Sequence, residues 1–224
     1  MELKGKKIAF LGDSITEGVG VADREKNGYP KIMERECELS AVYNYGIGGT
    51  RLAHQRTPSD KPRHDLCFCG RAYNVTHDAD IIVVYGGIND YLHGDAPFGA
   101  LGDTTPATFM GGVRFLMNFL RTEFAGKPIV FMSPARLCYQ GLDGSTRSTN
   151  PKKHETAPAL KGYIDGIKET ARLFDIPVLD LYEDLGIDPT KKEEREKYTA
   201  DGLHFNDEGQ YFIAAALKKF LISL

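Results

Sequence analysis

Short apolar runs rich in β-branched and aromatic residues, separated by longer segments of helical period, constrain this chain to a parallel sheet covered by helices on both faces. Five runs read as strands: Lys7 to Leu11, Ala41 to Tyr45, Ile81 to Tyr85, Ile129 to Met132 and Val178 to Leu181. Between them, Pro30 opens a helix toward Leu39, Thr105-Pro106 has the form of an N-cap with proline at the first helical position, and Ala157 to Phe174 reads as a third long helix. The last helix has the clearest signal. Asn206 caps it, Asp207 and Glu208 occupy its first turn, and Phe212, Ala216 and Phe220 recur at every fourth position beside Ile213, Leu217 and Leu221. The expected fold is therefore α/β, a three-layer α/β/α sandwich on a five-stranded, mainly parallel, flavodoxin-like sheet.

A chain of 224 residues suits one domain spanning 1–224, of a size that buries roughly 70% of its unfolded surface without a staple. Lys and Arg number 28 against 31 Asp and Glu, a net charge of -3, which leaves no electrostatic footprint for nucleic acid. No stretch of about 18 apolar residues occurs, so no membrane span is expected. Met1 to Lys7 runs directly into Ile8-Ala9-Phe10-Leu11, too short for a secretory signal core, and the expected location is the cytoplasm. Cys37, Cys67, Cys69 and Cys138 fit that reducing compartment as free thiols.

Three local patterns attract functional readings and are set aside. His64, Cys67, Cys69 and His77 cluster, but Cys-x-Cys lacks the two-to-four residue gap usual between zinc ligands. Lys191 to Lys197 alternates in sign and reads as a solvated helical turn supported by i,i+4 pairs. Gly46-x-Gly48-Gly49 follows a strand but fits neither the dinucleotide fingerprint nor the P-loop. No metal and no cofactor are expected.

In open parallel sheets, ligands bind beyond the carboxyl ends of the strands, so the strand-to-helix loops carry the chemistry. The first holds Gly12-Asp13-Ser14, which puts a serine hydroxyl and its own N–H at a helix start, where unpaired N–H groups favour a developing anion. It is not the G-x-S-x-G elbow of α/β-hydrolases. After the second strand, Asn44 to Thr50 contains three glycines that let backbone N–H groups approach a ligand; Gly49 is the candidate donor. The third strand ends in Gly86-Gly87-Ile88-Asn89-Asp90, with the Asn89 amide on the same sheet edge. Near the C-terminus, Asp201-Gly202-Leu203-His204 places a carboxylate three residues before an imidazole, close enough to hold its ring in one tautomer. Each pattern alone is more often a turn or a cap. All four at strand ends, in this order, describe a serine hydrolase.

These blocks, Gly12 to Ser14, Asn44 to Gly49, Gly86 to Asp90 and Asp201 to His204, resemble the GDSL or SGNH hydrolase family. The resemblance runs from Lys7 to the final helix and departs only in Ile15, where the family's name refers to leucine after the serine. It implies Ser14 as nucleophile, Gly49 and Asn89 with the Ser14 N–H as oxyanion donors, His204 as general base and Asp201 as its orienting partner.

Substrate must be read from the loops. Arg51 to Asp65 is rich in polar residues, including Arg51, His54, Gln55, Arg56, Asp60, Lys61, Arg63 and His64; Asp90, Tyr91 and His93 follow the third strand, and Arg136, Tyr139 and Gln140 follow the fourth. Arg51, Asp90, His93 and Arg136 are the candidate substrate contacts. A cleft so lined suits a small-molecule or carbohydrate ester more than a long acyl chain, which needs an apolar groove. The expected activity is removal of a short acyl group, such as acetyl, through an acyl-enzyme. Two alternatives stand beside it: a thioesterase or lysophospholipase-like hydrolase of longer chains, and a protein that uses this fold to bind glycans or partners without turnover.

Overall fold

The computed structural model describes residues 1–224 and contains one sheet in the order β2-β1-β3-β4-β5, with every neighbouring pair parallel. The strands are β1 (Lys7–Gly12), β2 (Ala41–Gly46), β3 (Ile81–Tyr85), β4 (Ile129–Met132) and β5 (Val178–Leu179). Strand side chains alternate between two cores, as the pleat requires. Ile8, Phe10, Ile81, Val83 and Val130 face the layer formed with the Tyr29–Glu36 and Asp207–Ser223 helices. Ala9, Leu11, Ile82, Val84 and Phe131 face the layer of the Phe109–Glu123 and Leu160–Arg172 helices. The result is the three-layer α/β/α arrangement expected from the apolar runs, and the parallel pairing is complete rather than partial.

Several element boundaries differ from the sequence reading, each for a local reason. β5 stops at Leu179 because Asp180 turns the chain, its carboxylate accepting from the Glu183 N–H at the start of the Leu181–Asp184 helix. The third-layer helix starts at Phe109 rather than at Pro106: the Pro106 carbonyl is taken by the His54 N–H, and Thr108 caps instead, its Oγ1 accepting from Gly111 N at 3.1 Å. The segment read as Ala157 to Phe174 is helical over Leu160–Arg172, following Pro158 and an extended Ala159. The first of these helices runs Tyr29–Glu36, with Pro30 in its first turn and Leu39 beyond its end. In the final helix Asn206 does cap, but the stripe that packs inward is Ile213, Leu217 and Leu221; Phe212 stays exposed. Lys192–Tyr198 forms a short solvated helix with a Lys192–Glu196 pair.

Cys69 is buried, its thiol donating to the Leu52 and Gly112 carbonyls, and Cys67 caps the Phe68–Arg71 turn. No helix is long and apolar enough to cross a membrane. The carboxyl ends of β1, β2 and β3 lie in register, so the loops that leave them converge on one edge of the sheet.

Candidate active site

Ser14 begins the Ser14–Glu17 helical turn at the end of β1, and Asp13 caps that turn, its Oδ1 accepting from the Ile15 N–H at 3.0 Å. As the first helical residue, Ser14 has an N–H with no intrahelical acceptor. Across the cleft, the Asp201–His204 segment is folded back on itself: Asp201 Oδ1 accepts from the His204 N–H at 2.8 Å and the Leu203 N–H at 3.0 Å. Gly202 makes this bend possible. Its φ is +87°, and a Cβ there would collide with the Cys138 carbonyl oxygen.

The three side chains meet in a line. His204 Nδ1 lies 2.7 Å from Asp201 Oδ2, and His204 Nε2 lies 3.0 Å from Ser14 Oγ. A carboxylate only accepts, so the ring proton sits on Nδ1, and Nε2 is the free base facing the serine hydroxyl. Burial pushes the Asp201 carboxyl up, but the hydrogen bonds from the His204 ring and from the His204 and Leu203 N–H groups outweigh it and hold the group below the usual carboxylate range. Asp201 therefore stays ionised where an imidazolium would form. Tyr139 packs edge-on against the His204 ring, with centroids 6.3 Å apart.

Two further donors face Ser14. Gly49, at φ +76°, has an N–H left without an acceptor inside the chain, and a Cβ there would lie 2.5 Å from the His64 ring. Asn89, buried in the turn after β3, donates from Nδ2 to the Thr50 carbonyl at 3.0 Å, which leaves one amide hydrogen for the cleft.

Beneath these loops sits Arg71, which the sequence reading did not single out. Its buried guanidinium donates to the carbonyls of Gly12 (3.0 Å), Tyr45 (2.5 Å) and Leu66 (2.9 Å) and to Thr50 Oγ1 (2.9 Å), fastening the ends of β1 and β2 together. Burial lowers it to about 10, which still leaves it charged at neutral pH.

Ser14, Gly49, Asn89 and His204 open onto one cleft of about 710 Å³, with Asp201 behind the imidazole. Of the candidate substrate contacts, His93 lines this cleft. Arg51 is turned inward, binding the His64 carbonyl and Asp65, and only borders a smaller adjoining hollow of about 320 Å³. Asp90 is buried, its carboxylate accepting from the Leu52 and Ala53 N–H groups at 2.9 and 3.0 Å. Arg136 lies away from the cleft, over the Tyr182 ring and paired with Glu183. The cleft wall includes residues that sequence reasoning missed. Glu17 accepts from the Gly48 N–H and from Arg24 and Arg63, and Ser148, Thr149 and Asn150 come from the long segment after β4. Glu17 was within reach of the sequence, one helical turn after Ser14; nothing local marks 148–150.

An imidazole that can take the proton of a hydroxyl and return it to a departing alcohol, beside N–H groups able to meet a developing oxyanion, is suited to cleaving esters. This puts the protein among the carboxylic ester hydrolases. Residues 10–211 match the model of the GDSL-like lipase/acylhydrolase family, and the chain belongs to that family. Among solved structures, it is similar to a protein from Lactobacillus plantarum at 29% identity and a TM-score of 0.82, covering 99% of this chain and 98% of that one. A lipase/acylhydrolase from Enterococcus faecalis shares the fold at 20% identity and a TM-score of 0.62, covering 96% and 95%. So does a carbohydrate acetylesterase family member from Sinorhizobium meliloti, at 18% and 0.64, covering 96% and 97%. No curated protein matched the chain.

Proposed function

We propose that residues 1–224 act as one SGNH-type domain, a cytoplasmic esterase that removes a short acyl group, acetyl foremost, from a hydroxyl of a polar or carbohydrate substrate. The observation that carries the mechanism is the Asp201–His204–Ser14 line, with its 2.7 and 3.0 Å links. Ser14 Oγ attacks the ester carbonyl as its proton passes to His204 Nε2. The oxyanion is held by the N–H groups of Ser14 and Gly49 and by the Asn89 amide. His204 then protonates the alcohol as the C–O bond breaks, and water, activated by the same imidazole, releases the acid from Ser14. Loss of one oxyanion donor of this kind typically lowers kcat by about 10²–10³.

The wall of the cleft supports the short-acyl reading. Its apolar members, Val19, Leu92, Tyr139, Leu142 and Leu203, stand among Glu17, Arg24, Lys61, Arg63 and the 148–150 segment rather than forming a continuous groove. Hydrocarbon gains about 0.8 kcal/mol per CH₂ only where apolar surface receives it. The Sinorhizobium meliloti neighbour favours the same reading; the Enterococcus faecalis neighbour keeps a longer-chain acylhydrolase as the rival. Hydrolysis of nitrophenyl esters from two to twelve carbons separates them. Activity highest at acetyl supports the proposal, and activity that climbs with chain length overturns it. A folded protein whose Ser14 takes no fluorophosphonate label would instead favour the binding-protein alternative.

A further inference from the structure

A primary amide has an oxygen at one end and an N–H₂ at the other, and only one of its two orientations offers an oxyanion a donor. Asn89 is held in one orientation by a chain of groups that reaches back to Arg51. Arg51 Nη1 lies 3.0 Å from His93 Nδ1. A guanidinium can only donate, so Nδ1 is the unprotonated ring nitrogen and Nε2 carries the hydrogen. His93 Nε2 is 3.1 Å from Asn89 Oδ1, so the amide oxygen must be the end that faces His93. The N–H₂ end then points to the Thr50 carbonyl and the cleft.

Arg51 is itself fixed. Its Nη2 donates to the His64 carbonyl at 2.8 Å and to Asp65 Oδ1 at 2.9 Å, and the residue is almost wholly buried. Burial pushes His93 down to about 4, and the nearby cationic or basic groups Arg51, His64, Lys153 and Lys152 push it the same way. The ring is neutral at working pH, which keeps Nδ1 open to Arg51. If His93 held a second proton, Arg51 and Nδ1–H would face each other donor to donor.

We propose that His93 is a positioning residue of the ester-cleaving centre: with its tautomer set by Arg51, it locks the Asn89 amide so that the N–H₂, and not the carbonyl, meets the oxyanion. The inference rests on the reading of Asn89 as an oxyanion donor. His93 also borders the cleft, so contact with substrate is the competing role.

Two glutamine-sized replacements separate these roles. His93→Gln can keep both links, its amide oxygen accepting from Arg51 while its N–H₂ donates to Asn89 Oδ1. His93→Glu keeps only the acceptor, which pairs with Arg51 and turns the Asn89 N–H₂ toward itself and away from the oxyanion. With nitrophenyl acetate, His93→Gln should hold kcat within about tenfold of wild type, whereas His93→Glu should lose about 10²–10³, the typical effect of one oxyanion donor. KM should change by less than about threefold in both. In an Asn89→Ala background, His93→Gln and His93→Glu should differ by less than about threefold, because the group they orient is gone. Equal kcat for the two variants, a change confined to KM, or the same Gln-to-Glu ratio with and without Asn89 would overturn the inference. If Asn89→Ala alone leaves kcat unchanged, the oxyanion role of Asn89 fails first and the inference falls with it. A drop with Asn89→Ala but no Gln-to-Glu difference refutes the role of His93 alone. Thermal melting of each variant checks that it is folded.

Discussion

Asp201→Asn makes the sharpest mechanistic test, because the geometry fixes what the new amide must do. Asp201 Oδ1 accepts from two backbone N–H groups, Leu203 and His204, while Oδ2 accepts from the imidazole. In the variant, keeping an oxygen toward the two backbone donors puts the N–H₂ against His204 Nδ1. The ring must then accept at Nδ1 and carry its proton on Nε2, which can no longer take one from Ser14. Turning the amide around restores the tautomer but sets the N–H₂ against two N–H groups. Two lost hydrogen bonds at about 0.5–1.5 kcal/mol each cost about 1–3 kcal/mol, roughly 5- to 150-fold in the productive population. No other acceptor on Nδ1 is present to share the load. Loss of the carboxylate that would stabilise the imidazolium adds about another tenfold. The expected fall in kcat is thus about 50- to 1,500-fold. Nitrophenyl acetate kinetics, with KM and melting temperature followed alongside, provide the assay. A folded Asp201→Asn variant that retains more than a tenth of wild-type kcat would refute the reasoning.

Asp13→Asn tests the buried cap next to Ser14: burial raises Asp13 to about 7, against 3.8 for an ordinary carboxyl, despite the Ile15 N–H and the nearby His204 and Arg71, which lower it. A raised folded value means that the stabilising contribution is full below 3.8 and is lost as pH rises through about 7; at about 1.4 kcal/mol per tenfold the loss is bounded by about 4 kcal/mol. Urea denaturation should show wild type losing stability relative to Asp13→Asn between pH 4 and pH 8, and parallel curves would count against the burial argument. Gly49→Ala, which forces a Cβ against the His64 ring at a φ of +76°, should lower kcat at least about tenfold, and adding His64→Ala should recover part of it. Wild-type kcat in Gly49→Ala would remove Gly49 from the oxyanion site. Because Arg24, Lys61 and Arg63 border the cleft against Glu17 alone, an acetyl ester whose alcohol bears a carboxylate should have a KM about 2- to 5-fold below that of its neutral methyl ester at low salt. Lys61→Glu should erase that difference; if it persists, the rim does not select charge.

Much of this architecture is legible in sequence because a strand buried on both faces must be a short, nearly continuous apolar run. Ile81–Tyr85 and Ile129–Met132 accordingly have the same limits in sequence and structure. Helix starts are less legible, because caps compete. Thr105-Pro106 has the better local signature, yet Thr108 caps once the Pro106 carbonyl is drawn to His54. Ser14, Gly49 and Asn89 stand out because each sits in a short motif after β1, β2 or β3, whose ends the sheet brings together; the Asp201–His204 pair stands out by its spacing, but it follows the Lys192–Tyr198 helix rather than a strand. The loop charges behave differently. Arg51 and Asp90 have the composition of solvated cleft residues, but the fold turns both inward, where they hold the loops after β2 and β3. Arg71 and the 148–150 segment carry no local pattern; their positions depend on tertiary packing across the whole sheet edge.

In the proposed mechanism Ser14 carries the acyl group between the two halves of the reaction, and rapid acid quench of the enzyme during turnover of nitrophenyl acetate, followed by peptide mass spectrometry, would trap that group. The mechanism requires one added acetyl group on the peptide that contains Ser14, absent from Ser14→Ala, together with loss of nearly all turnover in that variant. Acetylation at another residue, or wild-type turnover by folded Ser14→Ala, would contradict it.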